Sequence, residues 1–178
     1  MFKKQLIIII VLACITCCKG YSQKPEMMRA DSIVEIVDSQ EHIFPKSIGI
    51  INDYEHIFTE NQIKVLSDHL YQYDLTTTRQ IVVITIDDLS PYEDSQQYAT
   101  AIGNDWGVGD PNKDNGLIIV FSSALRKVGI ATGYGTEHIL TDEICKEVID
   151  DIMIPKFKDA QYYEGIQKGI EALIKAWN

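Results

Sequence analysis

Apolar and polar positions alternate between two periods along this chain, and the change of period marks its elements. Ile48 to Asp53 is a short apolar stretch ending in a turn, read as a strand or extended entry. From Thr59 the period is helical: Ile63, Leu66, Leu70 and Tyr73 recur on one face. Thr59 and Gln62 have capping-box spacing, and Phe58 and Ile63 take the staple positions. Thr76 to Thr78 marks the exit. Gln80 to Asp87 is then a continuous β-branched run, expected of a strand covered on both faces.

Ser90-Pro91-Tyr92-Glu93 has the form of a second capping box with proline at the first helical position. It predicts a helix with Tyr98, Ile102 and Trp106 inward, closed by Gly107. Gly116 to Phe121 is a second buried strand. The link Ser122 to Leu125 is too short for a crossover, so Arg126 to Thr132 is predicted to return antiparallel. Gly133-Tyr134-Gly135 is expected to be a flexible turn. Thr141 caps a third helix, with Asp142 and Glu143 in its first turn. Cys145, Val148, Ile149 and Ile152 form its stripe, and Pro155 is expected to stop it. A last helix runs from about Tyr162 to Trp177, with Ile166, Ile170, Leu173, Ile174 and Trp177 inward. The order predicts an α/β fold, with a mixed sheet between helical layers.

The N-terminus does not fit that domain. Lys3-Lys4 precede a 13-residue apolar run, Leu6 to Cys18, too short to span a bilayer and suited to an export signal. Two processing readings compete. Gly20-Tyr21-Ser22 places small residues for cleavage before Gln23, giving a signal peptide over 1–22. Val11-Leu12-Ala13-Cys14 has the form of a lipobox that would leave a lipidated Cys14, although its Leu12 is less usual there. Residues 23–44 then form an arm or tether, and the domain occupies 45–178. The expected location is outside the cytoplasm, periplasmic or secreted, with lipid attachment to a bacterial membrane if Cys14 is modified. No further transmembrane segment is expected in the mature chain.

Charge narrows the partners. The chain carries 16 basic and 26 acidic residues; without 1–22 it has 13 against 26, a net −13. Such a surface repels nucleic-acid phosphates and attracts cations, so no nucleic-acid partner is expected. Cys145 would be the one cysteine left after cleavage at Ser22, which excludes an internal disulfide and reads as a small core residue.

Several stretches in order carry a family resemblance: I-I-N-D, I-V-V-I-T-I, W-G-V-G, D-N-G-L-I-I-V-F, R-K-V-G-I-A-T-G-Y-G-T-E, L-T-D and P-K-F-K-x-x-x-Y-x-x-G-I. From about Ile50 to Trp177 the chain resembles the TPM domain family. The resemblance implies a three-layer α/β/α sandwich with a mixed central sheet of about four strands. It also implies calcium binding, acid-phosphatase activity, and roles in the assembly or maintenance of membrane and envelope proteins.

Asp53, Asp114, Glu137 and Asp142 lie on turns matching the family stretches, and Asp110 opens a D-x-N-x-D spacing with Asn112 and Asp114. Carboxylate oxygens suit a hard cation such as Ca²⁺. The expectation is that these loops converge at one end of the sheet around a divalent ion. Each acid also has an ordinary role, as a turn residue or a helix-start charge. The loop is not an EF-hand, since position six is Asn115 and position twelve Phe121. Support for catalysis is thinner. Asp87-Asp88 lacks the spacing of aspartyl-phosphate enzymes, and His42, His56, His69 and His138 show no paired metal-ligand spacing. Two functions therefore stand side by side: a Ca²⁺-binding module for an envelope or membrane protein partner, and a metal-dependent phosphatase.

Overall fold

The structure is a computed structural model that describes residues 43–178. The stretch read as an export signal, Cys14 and nearly all of the expected 23–44 arm lie outside the described residues. Among the described residues, no helix is long and apolar enough to cross a membrane.

Four strands form one sheet in the order β1 (Ile51–Asp53), β2 (Gln80–Thr85), β3 (Gly116–Ser122) and β4 (Lys127–Thr132). The first three are parallel and β4 returns antiparallel to β3, so the sheet is mixed as predicted. Alternation along the strands divides the core. Ile81, Val83, Leu117, Ile119 and Phe121 face one side, with α1 (Glu60–Thr77) and the C-terminal helices. Val82, Ile84, Ile118 and Val120 face the other, against Tyr98, Ala99 and Ile102 of α2 (Ser95–Trp106). The result is the α/β/α sandwich. Since β1, β2 and β3 lie side by side and parallel while α1 and α2 cover opposite faces, one of the two crossovers is left-handed. That departs from the strong right-handed preference of such units.

The capping box at Thr59 is present in full, and Thr78 closes α1 in the left-handed region at φ 62°. The predicted start of α2 is corrected. Ser90 to Glu93 forms a turn, and the cap is Asp94, whose carboxylate accepts from the amides of Gln96 and Gln97. Two forces hold the turn. Asp88 accepts from the Ser90 amide and hydroxyl. Tyr92 packs on Phe44 and edge-on to Tyr98, with centroids 6.0 and 5.9 Å apart.

Pro155 is a second correction, because the chain continues helically through it. α3 (Asp142–Glu147), capped by Thr141, widens into a π-helical segment, Val148–Met153, which leads directly into α4 (Ile154–Lys158). The Ile154 amide donates to Ile149, five residues back. The wide turn keeps the proline ring clear of the carbonyl that an α-helical course would place against it. After a short turn, α5 (Tyr162–Trp177) buries Ile166, Ile170, Leu173 and Trp177, as its period predicts.

Candidate functional site

The strand register fixes which acids can meet. Asp53 pairs with Thr85, and Thr85 with Phe121; at the opposite end Gln80 pairs with Gly116. Asp114 precedes Gly116 by two residues. Five residue steps, roughly 17 Å of strand, therefore separate the Asp53 end from the Asp114 end. The expected convergence of all the acids at one end does not occur.

At the carboxyl end of the parallel strands Asp53 is buried, with 4% of its surface exposed. Its carboxylate accepts from the Phe58 amide at 2.8 Å, the Ile57 amide at 3.2 Å and the Thr85 hydroxyl. It thus shapes the entry to α1 and joins β1 to β2. Beside it, Glu55 reaches the β3–β4 hairpin and accepts from the Ser123 amide (3.0 Å), the Ser123 hydroxyl (2.9 Å) and the Ala124 amide (3.1 Å). Sequence reading missed Glu55, because its partners lie 68 and 69 residues away.

The opposite end holds the other candidates. Asp110 is half-buried, and its carboxylate closes an Asx turn on the Asn112 amide at 2.8 Å. Asn115 clamps that loop from inside, accepting from the Asp110 amide and donating to the Thr78 carbonyl at 2.7 Å. Asp114 is exposed, at φ 47°. The Gly133–Gly135 segment, expected to be flexible, is a packed seam against this loop. The Gly135 amide donates to the Asp114 carbonyl at 3.0 Å, and the Gly133 amide to Gly116 at 3.0 Å. A Cβ at Gly135 would lie 1.8 Å from the Lys113 carbonyl oxygen, and one at Gly133 2.2 Å from that of Asp114. Only glycine permits the two backbones to approach so closely.

Glu137 continues from the seam, its amide bonded to the Gly133 carbonyl, and its side chain is exposed. Asp142 follows Thr141 as an exposed residue in the first turn of α3. Among the described residues, the carboxylates of Asp114, Glu137 and Asp142 make no hydrogen bond or ion pair to another side chain. The Thr136 hydroxyl, fully buried beside Glu137, also has no partner among the described residues.

A hard cation can be tested against this arrangement. Among the described residues, no three or more Asp, Glu, His or Cys side chains gather in a metal-holding group. A self-contained metal centre of the catalytic kind does not fit. Asp110, Asp114 and Glu137 do not gather into such a group; Asp114 and Glu137 lie on segments joined by the Gly135–Asp114 hydrogen bond. One other group is removed from chemistry at neutral pH. Burial, with a smaller contribution from Asp142, pushes the Cys145 thiol up to about 11, so it remains protonated. Asp88 is held below the usual carboxylate range by the Ser90 hydroxyl and amide, as befits a turn.

The TPM domain family model (TPM_phosphatase) matches residues 51–176. The chain belongs to the TPM domain family. This domain is similar to the N-terminal domain of a Porphyromonas gingivalis protein solved by NMR. That match has 27% identity and a TM-score of 0.65, over 71% of this chain and 80% of that one. The N-terminal domain of a Corynebacterium glutamicum protein matches at 13% identity and TM-score 0.57, over 76% and 85% of the two chains. The BA42 protein of Bizionia argentinensis matches at 18% and 0.55, over 70% and 88%. The last two likenesses concern the fold alone. No protein with a curated description matches the chain.

Proposed function

We propose that this TPM domain is an exported module of the cell envelope that engages a protein partner through a Ca²⁺ ion at its acidic end. The observation that carries the reading is the pair of exposed carboxylates, Asp114 and Glu137. They lie on segments stitched together by the Gly135–Asp114 hydrogen bond and have no partner among the described side chains. The neighbouring backbone can add carbonyl oxygens. Two or three protein oxygens leave most of a calcium shell open. A partner's oxygens can complete it, which makes the ion part of an interface. Asp142 remains a helix-start charge.

Export rests on Lys3-Lys4 and the Leu6–Cys18 run. Mass spectrometry of the protein from its native cells tests it: a chain starting at Gln23, or lipidated at Cys14, supports export, and an intact Met1 terminus contradicts it. The partner role is tested by affinity capture from envelope extract with Ca²⁺ or with chelator. Wild-type protein should retain a partner in Ca²⁺ alone, and Asp114→Asn with Glu137→Gln should retain none. Capture that ignores both chelator and substitution refutes the role.

A metal-dependent phosphatase is the second reading, favoured by the name of the matched family model. It predicts hydrolysis of p-nitrophenyl phosphate that requires a divalent ion and is lost in Asp114→Ala. Activity unchanged by that substitution would count against this site.

A further inference from the structure

We infer that the pocket between the β3–β4 hairpin and α4 binds a small organic carboxylate, one negative head on an aromatic or aliphatic body. The pocket holds about 440 Å³, within the range of small-molecule sites. It lies beside the carboxyl ends of the parallel strands, where open α/β sheets usually take ligands. The acidic loops at the opposite end of the sheet play no part in it.

Its floor is aromatic. Phe121 packs against Phe157 and Tyr162, with ring centroids 4.3 and 5.3 Å apart. Phe157 and Tyr162 remain partly exposed, leaving an apolar surface for a ligand's body. Its rim is cationic, formed by Arg126, Lys127 and Lys158. No lining residue is acidic, in a chain with 26 acids against 16 bases. Lys127 donates to the Glu93 carbonyl. Among the described residues, Arg126 and Lys158 form no ion pair. A cationic rim over an aromatic floor selects an anion with an apolar body over an inorganic ion or a neutral hydrophobe.

The head group is named by Arg126, because the hairpin's own donors are occupied. The same turn already holds one carboxylate, that of Glu55, on the Ser123 amide and hydroxyl and the Ala124 amide. Ser123 also lines the pocket. Arg126 adds a planar fork that matches a second carboxylate in two parallel hydrogen bonds.

Two sources share this chemistry, a peptide C-terminus with an apolar last residue and a free organic acid. The full chain, labelled with ¹⁵N, is titrated with N-acetylphenylalanine, its C-terminal amide, 3-phenylpropionate and phenyl phosphate. The carboxylates should shift amide signals of residues 121–128 and 154–162 saturably. The neutral amide should bind at least about tenfold more weakly, as expected on losing a charge-assisted contact. Arg126→Gln with Lys158→Gln, both exposed positions, should weaken the carboxylates by about tenfold or more with an unchanged circular-dichroism spectrum. Tighter N-acetylphenylalanine would identify a peptide terminus and tighter 3-phenylpropionate a free acid; either supports the inference. No saturable shift up to about 10 mM, equal binding of acid and amide, indifference to the double substitution, or phenyl phosphate binding about tenfold tighter would each overturn it.

Discussion

Replacing Asp53 by alanine separates the two ends of the sheet. The carboxylate is buried and receives three donors: the Phe58 amide, the Ile57 amide and the Thr85 hydroxyl. Truncation leaves them facing a small void. A buried donor without a partner costs about 1–3 kcal/mol, and a water entering the void recovers part of that. The expected net loss is about 3–5 kcal/mol, a large fraction of the 5–15 kcal/mol typical of a domain. Asparagine keeps the shape but turns an amide N–H₂ toward a backbone or hydroxyl donor, so its loss should be smaller, about 2–3 kcal/mol. Urea unfolding followed by circular dichroism measures both, with the slope checked for constancy. A loss below about 1 kcal/mol in Asp53→Ala would refute the claim that this carboxylate organises the turn. Calcium binding by the surviving folded protein should be unchanged, since Asp53 lies at the other end.

Gly135→Ala should cost about 2–4 kcal/mol in the same assay, because its Cβ meets the Lys113 carbonyl oxygen at 1.8 Å and the seam must open; a neutral result would mean that the seam is loose. Thr141→Ala removes the cap on the Ile144 amide and should cost about 1 kcal/mol, read as a shift of the urea midpoint. Stability should also fall in alkali. Burial raises the folded Cys145 thiol to about 11 from 9.0 and the Tyr98 phenol to about 12 from 10.0. A raised folded value means that both groups contribute fully below their unfolded values, so stability should decline from about pH 9 to pH 12 as the unfolded state ionises first. Cys145→Ser should flatten the lower part of that decline; a midpoint constant across this range would contradict the burial of both groups.

Local chemistry made much of the fold legible. The β-branched run at Gln80 and the box at Thr59 each specify an element without help from distant residues. The third layer also follows from sequence, since β2 and β3 bury both faces along their length. Local rules failed where a distant packing partner decided. Ser90-Pro91-Tyr92-Glu93 satisfies a helix-start pattern, but Phe44 and Tyr98 draw Tyr92 into an aromatic cluster and leave the cap to Asp94. Pro155 satisfies a stop pattern, but a π-helical turn carries the chain past it.

The site was less legible because register decides it. Nothing local to Asp53 or Asp114 says that they stand at opposite ends of one sheet. That knowledge needs the pairing of Thr85 with Phe121 and of Gln80 with Gly116. The glycines of the Gly133–Gly135 turn looked permissive in sequence and proved to be points of close approach. The cationic pocket was hidden for a related reason: Arg126 and Lys158 belong to elements that only the folded chain brings together.

Calorimetric titration of the full chain with Ca²⁺, beside Asp114→Asn with Glu137→Gln, tests the proposed acidic end most directly. The account predicts saturable binding with a dissociation constant of about 0.1–1 mM, the range of extracellular calcium modules, and its loss in the double variant. No saturable heat up to about 10 mM Ca²⁺, or binding equally strong in the double variant, would contradict it.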